Sequence, residues 1–274
     1  MKKITYYLAL LTVTLFAMSC EDKVAIPLET AQPKLVIDAV IKWQKGTIGN
    51  EQKIKLTTTT SYYTNIIPVV SGATVYITNS ANTVFNFTET PNTGEYLCTN
   101  FVPVINETYT LTVISNGQIY KASDKLVSTP NIDYVNQVLV PGFGEDQIQV
   151  KFYYQDNGLE DNFYLIGVKN SAKVAPEFGV ASDEFFQGNQ MFGFYGYKDL
   201  EAGNILNLSL QGITERYSNY MSKLLSIADT NGSNPFSTPP ATLRGNIINQ
   251  SNLDNYPLGY FSLGEIDTKT YTVQ

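Results

Sequence analysis

The chain has no histidine among its 274 residues and only two cysteines, Cys20 and Cys98. Without histidine, Ser-His-Asp and Cys-His catalysis, zinc ligation by imidazole and imidazole acid–base chemistry are excluded. Two cysteines cannot build a disulfide framework, and we expect Cys98, inside a strand-like pattern, to be a small buried hydrophobe. The sequence shows no nucleophile–base pair and no metal motif, so it predicts a non-catalytic protein without a cofactor.

Charge is also scarce, because charged side chains make up 16% of the chain against 43% hydrophobic ones. This balance is typical of a globular protein rather than a disordered one. Acidic residues outnumber basic ones by 25 to 18, for a net charge of −7. Because phosphate contacts need Lys and Arg, the composition argues against a nucleic-acid partner. The net charge would not draw the chain to an anionic membrane surface either.

The N-terminus carries the most specific motif. Lys2 and Lys3 precede an apolar run over residues 4–18, which is shorter than the roughly 20 residues of a membrane span. A basic start, an apolar run and a small residue before a cleavage point are typical of a secretory signal. Ser19 followed by Cys20 resembles the lipobox of bacterial lipoproteins, in which the cysteine is lipidated and becomes the new N-terminus. We therefore expect a lipid-anchored protein outside the cytoplasm.

A polar segment with Pro27 and Pro33 follows and reads as a tether. Its first residues, Glu21 and Asp22, have two interpretations. They resemble the acidic export signal that sends Bacteroidota-type lipoproteins to the cell surface, or they are a polar spacer. The expected location is therefore the outer membrane, with the surface-exposed leaflet as one alternative.

From Lys34 onward the chain alternates in the manner of β-strands. Seven short strands are predicted at 35–41, 54–58, 75–77, 84–88, 96–98, 109–113 and 119–127. Turn sequences such as Asn116-Gly117 separate them. Seven strands in this length predict an immunoglobulin-like β-sandwich.

Ser128-Thr129-Pro130 marks a predicted junction, and a second β-rich domain follows that is either a sandwich or a barrel. Its strands are predicted at 132–140, 148–154, 163–168, 191–197, 205–210, 243–248, 258–263 and 266–273, and residues 171–190 are predicted to be irregular. The predicted organisation is a signal peptide, a tether, an immunoglobulin-like domain and a second β domain, at residues 1–19, 20–33, 34–128 and 129–274. The overall class is mainly all-β.

One amphipathic helix is predicted at about 215–229, capped by Thr214 or Ser218. Its apolar face consists of Tyr217, Tyr220, Met221, Leu224, Leu225 and Ala228. A single helix in a β chain is expected to cover a sheet edge or an open end.

Short motifs recur in an order that points to a family. They include Leu35-Val36-Ile37-Asp38, the segments 70–75 and 107–113, Arg244-Gly245-Asn246-Ile247 and Leu258-Gly259-Tyr260-Phe261. With the lipobox, this order resembles the Bacteroidota lipoprotein family catalogued as domain of unknown function 4249, over nearly the whole mature chain. The resemblance implies a β-rich outer-membrane lipoprotein, commonly encoded beside TonB-dependent transporters. It implies no established activity, so no functional residue is carried over.

Asp156, Glu160 and Asp161 form an acidic patch between two predicted strands. Their carboxylates could ligate calcium, but Asn157-Gly158 favours an ordinary hairpin turn, so we predict no metal site. Paired acids such as Asp183 and Glu184 could in principle hydrolyse glycosides. One sequence cannot pair them in space.

Aromatic residues are the more open question. Phe185, Phe186, Phe192, Phe194, Tyr195 and Tyr197 cluster with three glycines, and Tyr62 and Tyr63 form a smaller group on a loop. Because strand residues alternate, Phe192 and Phe194 should point one way, with Tyr195 and Tyr197 pointing the other. One face should fill the core, and the other is either ordinary surface or a site for a glycan, peptide or protein partner. The residues predicted for such a site are Phe185, Phe186, Tyr195, Tyr197, Tyr62 and Tyr63.

Three function hypotheses result. The first is a non-catalytic lipid-anchored lipoprotein, accessory to a TonB-dependent transporter in nutrient uptake. The alternative is a surface lipoprotein that binds a glycan or peptide through its aromatic residues. The third is a carboxylate-dependent hydrolase.

Overall fold

The computed structural model describes residues 32–61, 64, 66–142, 146–230 and 243–274. Residues 33–274 form one compact unit. The described residues contain fifteen strands and one helix. They are β1 (Leu35–Gln44), β2 (Gln52–Thr58), β3 (Thr74–Asn79), β4 (Val84–Thr90), β5 (Glu95–Cys98), β6 (Thr108–Ser115), β7 (Gln118–Val127), β8 (Tyr134–Val140), β9 (Gln147–Gln155), β10 (Phe163–Asn170), β11 (Glu177–Ser182), β12 (Gln190–Gly196), β13 (Ile205–Ile213), α1 (Glu215–Thr230), β14 (Ile248–Asn249) and β15 (Leu258–Thr272).

The first seven strands form the predicted immunoglobulin-like sandwich. One layer contains β1, β2, β5 and β4, paired side by side in that order, and the other contains β3, β6 and β7. Strand β4 also pairs with β3. This is the strand order of an immunoglobulin constant-type domain. Alternate residues such as Ile37, Ile54, Ile77 and Leu111 are fully buried between the two layers. The all-β prediction, with seven strands in this half, is confirmed.

A tyrosine fixes the corner that leads into β6. Tyr109 is fully buried, and its hydroxyl donates to the Val102 carbonyl at 2.7 Å and accepts from the Val104 N–H at 2.9 Å. This is the tyrosine corner that immunoglobulin-like domains place at the start of the sixth strand. It satisfies a buried hydroxyl and two backbone groups at once.

The last long strand closes the first sandwich into a barrel-like ring. Strand β15 pairs parallel with β1 from Val36–Leu258 to Gln44–Ile266, and it also pairs with β7 at Leu263 and Gly264. Eight strands therefore form the ring. Phe261 and Leu263 complete its core. The sequence predicts two strands, at 258–263 and 266–273, but the structure has one continuous strand there. Gly264 packs against the Gly212 carbonyl, and the β-ladder continues through Gly264.

A second sandwich is built on the far half of β15. Strands β13, β10 and β11 continue the sheet outward, and the three-stranded sheet β12-β9-β8 packs over them. The core between the layers includes Phe152, Tyr154, Tyr164, Leu206 and Leu208. The second β-rich domain, for which the sequence left a sandwich and a barrel as alternatives, is therefore a sandwich. The division of the chain at residues 128 and 129 stays a prediction, and β15 contributes to both sandwiches.

Two details of the second half differ from expectation. Strand β11 lies in the segment that was predicted to be irregular. The prediction was wrong because the half-buried residues of β11 do not alternate cleanly between buried and exposed. Residues 243–247 are not a strand, and only Ile248–Asn249 pairs there, with β7.

Helix α1 covers the outer side of the large sheet, as predicted for a lone helix. Tyr217 and Met221 are buried against Leu165, Ile213 and Tyr260. The predicted apolar face is too wide, because Leu224 and Ala228 are exposed at its far edge.

The helix begins beside the first sandwich. The Thr214 carbonyl accepts the first helical N–H, from Ser218, so Thr214 is the N-cap. Its hydroxyl, however, donates to the Asp124 carboxylate at 3.3 Å.

Candidate ligand-binding surface

The outer face of the three-stranded sheet carries an aromatic cluster. Its inner residues, such as Phe152 and Tyr154, fill the second core, so the alternate residues face outward. Tyr134 on β8, Tyr153 on β9 and Phe192 on β12 are in register across all three strands, and Phe194 lies two residues along β12. We call Tyr134, Tyr153, Phe192 and Phe194 the aromatic face.

The rings contact one another in a row. Tyr134 stacks on Tyr153 with centroids 4.5 Å apart and planes at 16°, and Tyr153 meets Phe192 at 5.9 Å and 46°. The Tyr134 hydroxyl reaches across β9 to donate to the Gln190 amide oxygen at 3.2 Å, which shows that its ring lies along the sheet. The Lys151 ammonium lies 5.2 Å from the Phe192 centroid. These contacts hold the rings in place before any ligand arrives.

The aromatic face is open to solvent. Tyr134 is 46% exposed, Phe192 49% and Phe194 61%. Exposed aromatic side chains that form a contiguous patch usually mark an interaction site.

Both edges of this sheet are unusual. Within the described part of the chain, neither β8 nor β12 pairs with a strand on its outer side. Neither the β8 sequence YVNQVLV nor the β12 sequence QMFGFYG contains a charged residue or a proline. Soluble proteins normally protect free edges with charge, proline or a bulge, since bare edges pair with other chains. These edges are therefore suited to contact with a partner.

The alternation predicted for β12 is confirmed, but the surface prediction needs one correction. Phe192 and Phe194 face outward, while Tyr195 is only 4% exposed. Its hydroxyl donates to the Glu177 carboxylate at 3.1 Å and accepts from Asn170 at 3.4 Å. Tyr195 is thus a core residue, because its strand turns that side inward. Tyr197 is half-buried against the same core, with the Lys173 ammonium 3.5 Å from its ring centroid.

Phe185 and Phe186 lie on the loop before β12 and are exposed, at 82% and 54%. The loop that carries them is tied to the preceding β9–β10 loop by Asp156, whose carboxylate accepts from the Gly188 N–H at 2.8 Å and the Tyr164 hydroxyl at 2.6 Å. Tyr62 and Tyr63, the smaller predicted group, lie outside the described residues.

The acidic patch holds loops together through hydrogen bonds. Asp156 is buried and both of its carboxylate oxygens accept hydrogen bonds. Asp161 accepts from the Gln187 amide at 3.1 Å, and the Glu160 carboxylate is within 3.4 Å of the Asn157 amide. Among residues 32–61, 64, 66–142, 146–230 and 243–274, no group of three acidic or sulfur ligands could hold a metal.

An acidic cleft of about 590 Å³ lies between α1 and the β10–β11 side of the sheet. Asp161, Asp183, Glu184 and Glu215 line it, without a basic residue in its described lining. Burial raises the pKa of Asp183, and the charges of Asp156 and Asp161 add to this, although the Asn162 N–H lowers it. The four carboxylates are the feature closest to the predicted hydrolase hypothesis.

Two members of the aromatic face, Tyr134 and Tyr153, were not singled out from sequence. The residues are 19 positions apart in sequence and meet only through the β8–β9 register. Alternation within each strand gives the facing direction, but the pairing that joins the strands is not encoded in a local pattern.

The predicted lipidation site Cys20 and the residues Glu21 and Asp22 of the predicted export signal lie outside the described residues. In the part that the structure describes, no helix has the length and hydrophobicity to cross a bilayer. Cys98 is buried as predicted, and its thiol lies 3.2 Å from the Asn100 side-chain oxygen.

A family model described as "Domain of unknown function (DUF4249)" matches residues 21–270. No curated protein matches the chain. Two solved structures are similar only weakly. The chicken CNTN1 FN1–FN3 domains share 8% identity and a TM-score of 0.20, over 67% of this chain and 60% of that one. A DUF4785 family protein from Legionella pneumophila shares 11% identity and a TM-score of 0.25, over 65% and 51%. At these scores neither likeness supports an inference about this chain.

Proposed function

This chain belongs to the family catalogued as domain of unknown function 4249, and from that premise we propose that it is a non-catalytic, lipid-anchored outer-membrane lipoprotein that assists a TonB-dependent transporter in nutrient uptake. The observation that carries the proposal is the aromatic face, which combines exposed, prearranged rings with two uncharged sheet edges. A tethered body with such a face is suited to hold a partner at the membrane.

The anchor in this proposal is a lipid on Cys20. The chain offers a matched control, because its other cysteine, Cys98, is buried in the first core. Growth of the native host with a clickable palmitate analogue should label the wild-type protein and Cys98→Ser, but not Cys20→Ser. Label that persists in Cys20→Ser would refute the anchor.

The partner in this proposal contacts the aromatic face. Side chains in an interface centre contribute most when they are aromatic, already ordered and removed from water on binding. Tyr134, Tyr153 and Phe192 meet the first two conditions through their ring contacts. A partner strand that adds to β8 or β12 would satisfy free backbone groups and place its side chains against the rings.

Purification of the tagged protein from detergent-solubilised native membranes tests the partner. We expect the wild type to retain a TonB-dependent transporter, identified by mass spectrometry. The double variant Phe192→Gln, Phe194→Gln should lose most of it, while Ile48→Gln, at a 77% exposed residue of the first sandwich, should retain it. Recovery of the wild type without any transporter would refute the proposal.

A second candidate function, glycan binding, is favoured by the amides around the rings. Gln190 and Gln155 follow the aromatic row along the sheet, and Asn136 lies beside it. Aromatic rings can pack on sugar faces while amides bond to hydroxyls. A glycan array on the purified protein distinguishes the two functions, because a hit that Phe192→Gln weakens would support glycan binding. The absence of any hit would leave the transporter as the partner.

The acidic cleft has a structural explanation that does not require catalysis. Asp183 is only 1% exposed, and its carboxylate accepts from the Asn162 N–H at 2.8 Å, which joins the start of β10 to the end of β11. A general acid needs access to the substrate. We therefore assign Asp183 to loop positioning and keep the protein non-catalytic in this proposal.

A further inference from the structure

A second cleft, of about 260 Å³, lies on the other side of α1 from the acidic one. Arg216, Tyr220 and Lys223 project into it from one face of the helix, at positions i, i+4 and i+7. Arg244 lines it from the segment before β14, and Tyr260 forms its floor. We call this the basic cleft.

The basic cleft is an exception in an acidic protein. Its described lining contains three cations and no carboxylate, although the chain has 25 acidic and 18 basic residues. The ion pairs found among the described residues use Lys45, Lys53, Lys55 and Lys173, and none uses Arg216, Lys223 or Arg244. Cations that converge without a carboxylate between them repel one another, so the cleft favours an anion.

Two carboxylates lie close to the cleft, and neither is among its lining residues. Asp38 is opposite Tyr260 in the β1–β15 pairing, and burial followed by the charge of Asp38 raises the pKa of Tyr220. Arg216 is near enough to Asp124 to lower the pKa of that carboxyl, yet burial dominates and raises the pKa to about 6. Asp124 instead accepts from the Lys125 N–H and the Thr214 hydroxyl. It faces the N-terminus of α1 and leaves the guanidinium of Arg216 exposed to the cleft.

A further cation extends the positive region. The Arg244 guanidinium lies 3.7 Å from the Tyr256 ring centroid, and the Lys34 ammonium lies 3.6 Å from the same centroid. Burial alone would raise the pKa of Tyr256, but the charges of Lys34 and Arg244 hold it below its ordinary value. These cation–ring contacts order both cations.

The backbone that carries Arg244 is held rigidly. Asn246 is buried and bonds to both the Phe261 carbonyl, at 2.7 Å, and the Phe261 N–H, at 2.9 Å. Gly245 packs so closely on the Gly259 carbonyl that a Cβ there would come within 1.7 Å of it. The backbone at Arg244 is thus fixed relative to β15, and little backbone ordering is left for a ligand to impose.

We propose that the basic cleft binds a phosphate-type oxyanion between Arg216, Lys223 and Arg244. Arginine forms paired hydrogen bonds to such oxyanions, and the lysine adds a point charge. The phosphate can come from a lipid headgroup or from a soluble molecule. The position favours the headgroup, because Lys34 follows directly on the predicted tether at residues 20–33, and this choice of source rests on the proposed lipid anchor.

The experiment uses the mature chain with Cys20→Ser, so that no acyl chain contributes. One arm titrates inorganic phosphate against chloride at constant ionic strength by calorimetry. The other arm measures flotation with vesicles of phosphatidylcholine alone or with 30% phosphatidylglycerol. Binding in the vesicle arm identifies a lipid headgroup, and binding in the phosphate arm alone identifies a soluble source.

Arg216→Gln, Arg244→Gln should weaken binding at least tenfold, and Lys223→Gln, an exposed helix residue, should weaken it several-fold. Lys121→Gln, Lys125→Gln on β7 removes the same charge elsewhere and should change binding less than twofold. The proposal is overturned if neither arm shows binding, or if the control weakens it as much as the cleft variants. Failure of the anchor would appear separately, as absent acyl labelling of Cys20.

Discussion

The two sandwiches of this protein differ in whether the edges of their sheets are paired. In the first, β15 pairs with both β1 and β7, so the eight strands close into a ring without a free edge. In the second, the described edges of the three-stranded sheet are free, uncharged and flanked by exposed rings. Closure protects a sheet from unwanted pairing, whereas an open apolar edge invites it.

From this difference we infer that the first sandwich serves as the stable scaffold and that the second presents the interaction surface. The ring has a complete core with Phe261 and Leu263 fully buried, as expected for a scaffold. The second sandwich keeps an equally buried inner core but leaves its outer face exposed. A sheet that is well packed on one side and carries exposed aromatic rings on the other is organised for a partner.

The largest expected effect breaks the ring. Gly259 has φ +94°, and a Cβ there would lie 2.0 Å from the Ile37 carbonyl, where β15 meets β1. Gly259→Ala should therefore cost about 3–5 kcal/mol of unfolding free energy, measured by urea denaturation. Gly179→Ala on β11, where a Cβ meets nothing within 4 Å, should change it by less than about 0.5 kcal/mol. Equal effects would show that closure by β15 does not stabilise the fold.

The next effect concerns the joint between the sandwiches. Burial raises the pKa of Asp124 from 3.8 to about 6, against the lowering effects of the Lys125 N–H, the Thr214 hydroxyl and Arg216. The folded state then holds the proton more tightly than the unfolded state. The resulting stability is complete below pH 3.8 and is lost as pH rises through 6, by roughly 3 kcal/mol.

Asp124→Asn removes this titration. Urea unfolding of both proteins between pH 4 and 7.5 should show the variant gaining stability relative to wild type as pH rises. Parallel pH profiles would contradict the raised pKa.

A smaller effect distinguishes two tyrosines inside the second core. The rings of Tyr154 and Tyr164 are 5.1 Å apart and both are buried. The Tyr164 hydroxyl donates to Asp156, whereas the Tyr154 hydroxyl has no hydrogen-bond partner among the described residues. Tyr164→Phe should cost about 1–3 kcal/mol, and Tyr154→Phe should be neutral or slightly stabilising. Thermal unfolding of the pair measures this, and a reversed order would show that Asp156 does not depend on Tyr164.

Local sequence patterns predicted much of this fold. Alternation located β1 to β7, and the spacing of Tyr217 and Met221 located α1, because each pattern reports one buried face. Strand β11 was missed because it is half-buried along its length. The parallel pairing of β1 with β15 joins residues more than 200 positions apart, and no local pattern encodes such a contact.

The candidate site was predicted less completely. The outward direction of Phe192 and Phe194 followed from alternation, but which side of β12 faces solvent depended on the sheet that covers it. Tyr195 was placed on the surface for this reason. The basic cleft joins α1 and Arg244, with Lys34 beside Arg244 on the Tyr256 ring, so it exists only once the chain has folded.

The most direct test of the central claim, that the aromatic face meets a transporter, is photo-crosslinking in living cells. A photoreactive phenylalanine analogue replaces Phe194 on the open sheet or, as the control, Ile48 on the closed ring; both positions are exposed, at 61% and 77%. We predict an adduct with a TonB-dependent transporter, identified by mass spectrometry, from position 194 and none from position 48. No transporter adduct at 194, or equal adducts at both positions, would contradict the account.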